Sequence, residues 1–443
     1  MNREDIVALD RKLLWHPYTQ MKAYIETTDP VVAARAEGFY LYDVDGTRYM
    51  DANGSWWTCI VGHNHPVLMA ALVERTKTMV HCSFAGTTHE GAVRLAQRLL
   101  PLCGKTFSRL FFSDDGSTAV EVAIRMAAQF FSNRGQEDKR RFVTLSGAFH
   151  GETIGAASVS GVEVFHEALR GLLFDRIVLP SPAQSAAPDG EPWYETAFAR
   201  AREILLAHHR HVAAVIVEPL VQGAAGMLMY PAAYLRELRA LCAELDILLI
   251  CDEVFTGYGR TGTFLAHAQA GVEADIVCLG KGFSGGELPM AATVTTERVF
   301  EAFLGDPSKT LWYGHSFTGN PLGCAVANAT LDVFENERLM EQLPLKAAVV
   351  QRGLDGIASH PWVRAPRRTG IVAAFTLVDP QRPDDGGYLN DAGWRFYNEA
   401  KKRGALIRPL GSVVYFALPL TVTVAQIDEL FCVVKESLTA AFG

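Results

Sequence analysis

Short apolar runs recur through the middle of the chain, and stretches with helical spacing separate them. The runs predict buried strands, because a strand that is covered on both faces forms a continuous apolar segment. These predicted strands are Leu110–Phe112, Phe142–Leu145, Ala213–Val217, Ile247–Ile250 and Ile276–Leu279. Strands that alternate with helices favour an α/β fold with a mostly parallel sheet.

The segments between the runs have apolar residues three and four positions apart, which predicts amphipathic helices. The first helix is defined by Val120, Ala123, Ile124, Ala127, Ala128 and Phe131. The second is defined by Tyr234, Leu235, Leu238, Leu241, Cys242 and Leu245. Pro231 is expected in the first turn of the second helix, where proline is well tolerated.

The two ends of the chain have a different pattern. Tyr40–Asp43, followed by Asp45 and Gly46, predicts a β-hairpin. Strands are expected near residues 370–378, 405–408 and 413–418, before a final helix with Thr423 and Gln426 as its capping box. We therefore predict a large domain (61–330) with the mostly parallel sheet. A smaller α+β domain would combine residues 1–60 with residues 331–443.

Composition excludes several classes of function. The net charge is −8 and no basic stripe is present, which argues against a nucleic-acid partner. No apolar run approaches the roughly 18 residues of a membrane span, and the first residues do not resemble a signal peptide. The eight cysteines are scattered without a CxxC pair, so we expect reduced core residues in a cytoplasmic protein with no metal site.

Lys281 is the first candidate for chemistry. It follows the predicted strand Ile276–Leu279 and has glycine on both sides, at Gly280 and Gly282. The carboxyl end of a parallel strand borders the crevice where α/β sheets bind ligands. A partly desolvated lysine there can lose its proton and attack a carbonyl group. The alternative is a solvated lysine in a turn, and this segment alone does not decide between them.

Asp252 is the second candidate, at the end of another apolar run. A carboxylate in that position needs a partner, and a protonated pyridine nitrogen would provide one. A helix cap or a core ion pair is the alternative interpretation.

Two segments can bind a phosphate, and one aromatic residue can cover a cofactor ring. Gly116, Ser117 and Thr118 lie between a predicted strand and a helix, where free amides and hydroxyl groups attract an anion. The segment Gly314–Asn320 is a second candidate. Phe149 follows the strand Phe142–Leu145, so its ring can lie over a flat ligand, although an aromatic residue in this position is usually part of the core.

Together these features resemble the class III aminotransferases, which have the aspartate-aminotransferase-like fold of type I pyridoxal-phosphate enzymes. The matching residues are Phe149, His150 and Gly151; Glu218 and Pro219; Asp252, Glu253 and Val254; Gly257–Gly262; and Gly280 and Lys281. The resemblance covers nearly the whole chain. It implies pyridoxal 5'-phosphate as the cofactor and a homodimer with shared active sites.

The resemblance also implies individual roles. Lys281 would be the Schiff-base lysine and proton shuttle, Asp252 would pair with the pyridine nitrogen, and Phe149 and Val254 would cover the two ring faces. Gly116 and Ser117 would bind the phosphate, with Ser316 of the partner subunit. His150 and Glu218 are further expected cofactor contacts.

One branch of the class, which acts in biotin biosynthesis, fits better than the others. Its matching segments are Trp15–Gln20, Ser55–Trp57 and Arg408–Gly411. Members aminate 8-amino-7-oxononanoate, usually with S-adenosylmethionine as the amino donor and in some members with lysine. Tyr18, Trp56, Trp57 and Gly314 would then line the substrate pocket, and Arg408 would bind the substrate carboxylate.

The sequence also departs from this branch. Phe149 replaces a tyrosine, so no hydroxyl group is available there, and Gly54, Glu152 and His315 replace a serine, an aspartate and a proline. These departures leave lysine open as the donor.

Four other interpretations are considered. A broad ω-amino-acid transaminase or a glutamate-semialdehyde aminomutase would lack the tryptophan-containing segments. A nucleotide-binding oxidoreductase would need a GxGxxG motif after its first strand, which this chain lacks. A sensor that only binds the cofactor would not need Lys281.

Overall fold

The structure is a computed structural model that describes residues 1–184, 193–382, 387 and 390–443. The strands of this part of the chain are β1 Ala33–Glu37, β2 Tyr40–Asp43, β3 Arg48–Asp51, β4 Phe107–Ser113, β5 Arg141–Leu145, β6 Arg176–Leu179, β7 Val212–Val217, β8 Val221–Gln222, β9 Leu228–Met229, β10 Leu248–Asp252, β11 Ile276–Leu279, β12 Ala291–Thr296, β13 Val363–Thr369, β14 Val372–Leu377, β15 Ala405–Leu406 and β16 Val413–Ala417. The helices are α1 Arg3–Leu13, α2 Met21–Thr27, α3 Gly54–Trp57, α4 Pro66–Thr76, α5 Glu90–Cys103, α6 Gly116–Asn133, α7 Ile154–Ser158, α8 Glu163–His166, α9 Trp193–His208, α10 Ala232–Glu244, α11 Glu297–Glu301, α12 Pro321–Asn336, α13 Leu339–Asp355, α14 Ala392–Lys402 and α15 Val424–Phe442.

A seven-stranded sheet forms the centre of the described chain, in the order β4-β12-β11-β10-β7-β5-β6. Strand β12 is antiparallel to both of its neighbours, and the other pairings are parallel. This confirms the predicted α/β fold with a mostly parallel sheet. The carboxyl ends of β4, β5, β7, β10 and β11 therefore lie at the same edge of the sheet.

Burial explains why the apolar runs become strands. All residues of β7, β10 and β11 are buried, as expected for strands covered on both faces. Helix α6 packs on this sheet with a face that includes Val120, Ala123, Ala127 and Phe131, each with no exposed surface. Removing such side chains from water is the main source of stability for this layer.

Two smaller sheets contain the ends of the chain. One has the order β1-β2-β3-β15, so it joins N-terminal strands to a strand from the C-terminal part. The predicted hairpin is present as the antiparallel pair β2 and β3. The other small sheet has the order β13-β14-β16. The division into residues 1–60, 61–330 and 331–443 stays a proposal.

The predicted helix ends agree with the structure in one case and differ slightly in another. Thr423 and Gln426 form the predicted capping box of α15. Pro231 has ψ of 145° and is the N-cap of α10, one residue before the first helical turn. Its extended backbone places it just outside the helix. No helix in the described part of the chain is long and apolar enough to cross a membrane.

Candidate active site

Lys281 lies directly beyond the carboxyl end of β11. Gly280 separates it from the strand, and a Cβ atom at Gly280 would lie 3.1 Å from the Cα atom of Gly116. Lys281 itself has φ of +46°, a left-handed conformation that is uncommon for a residue with a side chain. Such conformations concentrate at functional sites, where the surrounding structure maintains them.

The amine of Lys281 is held in a desolvated position. Burial lowers its pKa from 10.5 to about 8, although the nearby carboxylates of Asp252 and Glu218 act in the opposite direction. Its Nζ atom lies 4.8 Å from the ring centre of Trp57. A lysine with a lowered pKa has a larger fraction of the neutral amine near neutral pH, which is the nucleophilic form.

Asp252 ends β10 and is oriented by two neighbours. Its Oδ2 atom lies 2.7 Å from Nδ1 of His150, and its Oδ1 atom accepts a hydrogen bond of 3.1 Å from the amide of Val254. The side chains of His150 and Asp252 are 0% and 5% exposed. Because each carboxylate oxygen has two lone pairs, Asp252 can accept a further hydrogen bond from a group in the cavity.

The N-terminus of α6 lies at the same edge of the sheet. Asp115 and Thr118 form a capping box, which fixes the start of the helix. The first amides of a helix have no partner within it, and the helix dipole favours an anion near them. A Cβ atom at Gly116 would lie 2.5 Å from Cγ1 of Val254, so the close approach of these two segments needs glycine.

Ser117 is connected to the segment that follows Phe149. Its Oγ atom accepts a 3.0 Å hydrogen bond from the amide of Thr153 and lies 2.8 Å from Oγ1 of that residue. The hydroxyl groups of two distant segments therefore meet at the start of α6. Thr153 could not be predicted from a local sequence pattern, because it lies 36 positions from Ser117.

Glu218 fixes the backbone that carries Phe149. Its Oε2 atom accepts from the amide of Phe149 and its Oε1 atom accepts from the amide of Gly223, each at 2.9 Å. Burial, together with the charge of Asp252, raises the pKa of Glu218 to about 7. The ring of Phe149 is stacked parallel to His166, with centroids 6.4 Å apart.

A cavity of about 700 Å³ brings most of these groups together. The predicted site residues that line it are Gly116, Ser117, Phe149, His150, Glu218, Asp252, Val254, Lys281 and Trp57. Its volume lies within the range of small-molecule sites, and it combines apolar walls with a few directed polar groups. An amine, a buried carboxylate, an aromatic ring and a helix N-terminus therefore share one cavity. The residues fit a flat, phosphorylated cofactor with a reactive carbonyl group.

Three of the other predicted substrate residues, Tyr18, Trp56 and Arg408, form a separate cluster outside this cavity. The guanidinium of Arg408 lies 5.0 Å from the ring centre of Trp56 and donates a 3.2 Å hydrogen bond to the carbonyl of Tyr18. The rings of Tyr18 and Trp56 are 5.4 Å apart. Phe165 connects this cluster to the cavity, because its ring centre lies 5.3 Å from Tyr18 and 5.8 Å from Phe149.

The two tryptophans are carried by a left-handed turn. Gly54, Ser55, Trp56 and Trp57 have φ values of 56°, 42°, 64° and 75°. A Cβ atom at Gly54 would lie 2.9 Å from the carbonyl oxygen of Ala417, so this first position needs glycine. Each of the other three residues costs roughly 1–2 kcal/mol in this conformation. The surrounding contacts must offset this cost.

Gly314 and Ser316 do not line the cavity and are exposed to solvent. Their segment also carries Trp312, which is 78% exposed, and Phe317, which is 60% exposed. Between them, the imidazole of His315 lies 3.2 Å from the carboxylate of Asp114, next to the start of α6. The segment therefore approaches the phosphate end of the cavity without entering it.

Glu152 and Phe165 are further residues that the sequence patterns did not identify as site residues. Glu152 lines the cavity, and its carboxylate accepts a hydrogen bond from the hydroxyl of Tyr18. The Nε2 atom of His166 lies 3.4 Å from the same carboxylate. Position 152 was notable only as a departure from the related branch. Within the described residues, no group of three or more possible metal ligands is present.

Comparisons with known proteins agree with this geometry. The family model described as aminotransferase class-III matches residues 23–438. The chain is 40% identical to the adenosylmethionine-8-amino-7-oxononanoate aminotransferase of Geobacter sulfurreducens, over 98% of this chain and 97% of that protein. It is 39% identical to the protein of the same name from Aquifex aeolicus, over 96% of each chain.

Solved structures give the same result. The crystal structure of the adenosylmethionine-8-amino-7-oxononanoate aminotransferase from Methanocaldococcus jannaschii superposes with a TM-score of 0.91, at 34% identity over 98% of this chain and 99% of that chain. An omega transaminase from Pseudomonas jessenii in complex with PMP superposes with a TM-score of 0.92, at 27% identity over 98% of each chain. The chain therefore belongs to the class III aminotransferases, which are pyridoxal-phosphate-dependent enzymes.

Proposed function

We propose that this aminotransferase converts 8-amino-7-oxononanoate to 7,8-diaminononanoate in biotin biosynthesis, with S-adenosylmethionine as the amino donor. The observation that carries this proposal is the position of Arg408. Its guanidinium lies against Trp56 and Tyr18, and Phe165 and Phe149 continue this aromatic surface towards the cavity of Lys281. A substrate with a carboxylate at the far end of an apolar chain fits such an arrangement.

The cavity residues suit the cofactor of this reaction. When bound, pyridoxal 5'-phosphate supplies the carbonyl group that accepts nitrogen and the ring that withdraws electrons from the reacting carbon. The amides of Gly116 and Ser117 would hold its phosphate, and Phe149 and Val254 would contact its ring. Asp252, held by His150, would keep the ring nitrogen protonated. This assignment rests on the shared cavity and on the helix N-terminus at one end of it.

Lys281 would perform two tasks. Its neutral amine would hold the cofactor covalently until an amino donor displaces it. The freed Nζ atom would then carry a proton to or from the reacting carbon of the substrate. Both tasks need an amine that gains and loses a proton near neutral pH, and the lowered pKa of about 8 supports this.

The substrate roles follow from the aromatic cluster. Trp57 lines the cavity beside Lys281, so it would contact the part of the substrate near the reacting carbon. Tyr18 and Trp56 would contact the apolar chain further out, and the guanidinium of Arg408 would bind the terminal carboxylate. We also propose that Gly314 lines the substrate pocket when the two subunits are assembled.

The choice of amino donor has one alternative. S-adenosylmethionine is favoured by the names of the relatives and by the paired tryptophans. Lysine is the alternative donor, because Phe149 offers no hydroxyl group to the substrate. A broad ω-amino-acid transaminase remains the alternative function, and the similarity to the Pseudomonas jessenii enzyme supports it.

We further propose a homodimer that acts in the cytoplasm. Ser316 is exposed, and Trp312 and Phe317 in the same segment are exposed as well. A second copy of the chain would cover this segment. Ser316 would then complete the phosphate site of the partner subunit. Light scattering that finds a fully active monomer would contradict this assembly.

A half-reaction assay tests the donor. Holoenzyme is mixed separately with S-adenosylmethionine, lysine and a simple ω-amino acid, and the absorbance of the bound cofactor is followed. Conversion by S-adenosylmethionine supports the proposal, and conversion by lysine alone supports the alternative donor. If only simple ω-amino acids react, the broad transaminase function replaces the proposed one.

A further inference from the structure

Asp51 occupies an unusual position beneath the left-handed turn Gly54–Trp57. It is the last residue of β3, and its side chain is 6% exposed. Its Oδ2 atom accepts hydrogen bonds from the amide of Ser55 at 2.6 Å and from the hydroxyl of Ser55 at 2.7 Å. One carboxylate oxygen therefore holds the second residue of the turn at two points.

His63 holds this carboxylate from the other side. Its Nε2 atom lies 2.9 Å from the same Oδ2 atom, and its Nδ1 atom lies 3.4 Å from Sγ of Cys59. Burial opposes protonation of His63, but the hydrogen bonds to Asp51 and Cys59 raise its pKa to about 10. The imidazolium form therefore predominates at neutral pH. It pairs with a carboxylate that is almost completely buried.

The backbone of His63 is also fixed. Its amide donates to the carbonyl of Gly38 at 2.8 Å and its carbonyl accepts from the amide of Gly38 at 2.9 Å. The Asp51–His63 pair thus connects the turn to the small sheet that contains β1, β2 and β3. Strand β15 belongs to the same sheet, pairs Leu406 with Asp51, and leads directly to Arg408. The sheet therefore positions the turn and the guanidinium together.

We propose that Asp51 is a positioning residue for substrate binding, which acts by holding this turn through Ser55. The turn directs two consecutive side chains to different surfaces. Trp57 is 4% exposed and lines the cavity beside Lys281, whereas Trp56 is 42% exposed and lies against Arg408. The inference rests on the proposed function, because it takes both tryptophans as substrate contacts.

The opposing interpretation is that Asp51 only stabilises the fold. The hairpin offers a matched control, because Asp43 is also the last residue of a strand in the same sheet. Its carboxylate accepts hydrogen bonds from the amides of Asp45 and Thr47 and from the hydroxyl of Tyr49. Asp43 contacts neither the turn nor the cavity. Asp51→Asn and Asp43→Asn each remove the negative charge and replace one acceptor oxygen with an NH₂ group, in two different places.

Ser55→Gly separates positioning from stability. Glycine adopts the left-handed conformation without a steric penalty, so the turn still forms, but it loses the hydroxyl hydrogen bond and gains freedom. A purely structural role predicts no change in substrate binding for this variant. A positioning role predicts weaker binding with a melting temperature close to that of the wild type.

The experiment uses holoenzyme, with octanoate as a non-reactive probe of the apolar pocket and its guanidinium. The dissociation constant of octanoate is measured by calorimetry, next to kcat and KM for 8-amino-7-oxononanoate and the cofactor absorbance. For Asp51→Asn and Ser55→Gly, we expect octanoate binding and acceptor KM to weaken roughly 10-fold or more, because small misplacements in a site have large effects. Cofactor absorbance should stay unchanged, kcat should change much less than KM, and Asp43→Asn should resemble the wild type in both KM and octanoate binding.

Several results would overturn the inference. Wild-type KM and octanoate binding in Ser55→Gly would do so, even if Asp51→Asn does not fold. Equally weakened octanoate binding in Asp43→Asn and Asp51→Asn would identify a general structural role. Loss of the bound cofactor together with weaker substrate binding would do the same. A wild-type enzyme that neither binds octanoate nor converts the acceptor would instead overturn the proposed function, and this inference with it.

Discussion

The Nδ1 atom of His150 lies 2.7 Å from Oδ2 of Asp252, and both side chains are buried at the carboxyl edge of the central sheet. The pair connects the end of β10 to the segment that follows β5. It fixes the direction of a carboxylate that the proposed function assigns to the cofactor's ring nitrogen. The amide of Val254 donates a hydrogen bond to Oδ1, the other carboxylate oxygen. Both oxygens are therefore held, which restricts rotation of the carboxylate.

Replacement of Asp252 by asparagine tests this electrostatic role. Asparagine keeps an oxygen for the hydrogen bond to His150 but removes the negative charge. We expect kcat to fall roughly 10²-fold or more, as for the loss of other preorganised electrostatic groups. Steady-state kinetics measures this, and the melting temperature and cofactor content verify that the variant is folded and loaded. Near-normal kcat in a loaded enzyme would show that the carboxylate is structural.

The candidate site residues at the ends of strands could be predicted from the sequence, because the pattern of apolar runs already predicts an α/β fold. Lys281, Asp252 and Gly116 each follow an apolar run, and the carboxyl ends of parallel strands meet at one edge of a sheet. These positions can therefore be identified without knowledge of distant contacts. It did not predict β12, whose alanine and threonine residues lack the pattern of a buried aliphatic strand.

The substrate side was less predictable, because its geometry depends on tertiary contacts. Trp56 and Trp57 are adjacent in sequence. No local sequence pattern shows which of the two rings lines the cavity and which lies outside it. The separation comes from the left-handed turn, which depends on Asp51 and His63. Ser316 was predicted from resemblance alone, and its exposed position in a single chain is consistent with a role in a neighbouring subunit.

Lys281→Ala should bind the cofactor without a covalent bond and lose turnover by several orders of magnitude, because both proposed tasks of the amine are removed. Borohydride reduction followed by mass spectrometry should add the cofactor mass to the wild type but not to this variant. Lys346→Ala is a matched control, since Lys346 is also a buried lysine with a lowered pKa. Normal turnover of Lys281→Ala would contradict the assignment.

The lowered pKa of Lys281 predicts how cofactor capture depends on pH. Only the neutral amine attacks a carbonyl group, and the pKa of about 8 means that this form becomes dominant above pH 8. The rate at which apoenzyme captures pyridoxal phosphate should rise with pH, reach half of its maximum near pH 8 and level off above about pH 9. Stopped-flow absorbance measures this rate, with N-acetyl-lysine amide as the solvated reference. A midpoint equal to that of the reference amine would contradict the desolvated environment.

Arg408→Ala should raise KM for 8-amino-7-oxononanoate by roughly 10- to 100-fold with a smaller effect on kcat. A charge-assisted hydrogen bond contributes about 1.5–3 kcal/mol, and this contact is similar in the ground and transition states. Arg408→Lys should recover part of the loss, because it keeps the charge but not the two-point geometry. An unchanged KM in Arg408→Ala would remove Arg408 from the substrate site.

The most direct measurement is nitrogen transfer with labelled donor. Holoenzyme is incubated with S-adenosylmethionine that carries nitrogen-15 in its amino group and with unlabelled 8-amino-7-oxononanoate, and the products are analysed by mass spectrometry. We expect the wild type to form 7,8-diaminononanoate with one labelled nitrogen, and Lys281→Ala to form no labelled product. Labelled product from lysine instead would change the donor only. Failure of the wild type to form 7,8-diaminononanoate with either donor, while simple keto acids are aminated readily, would contradict the proposed function.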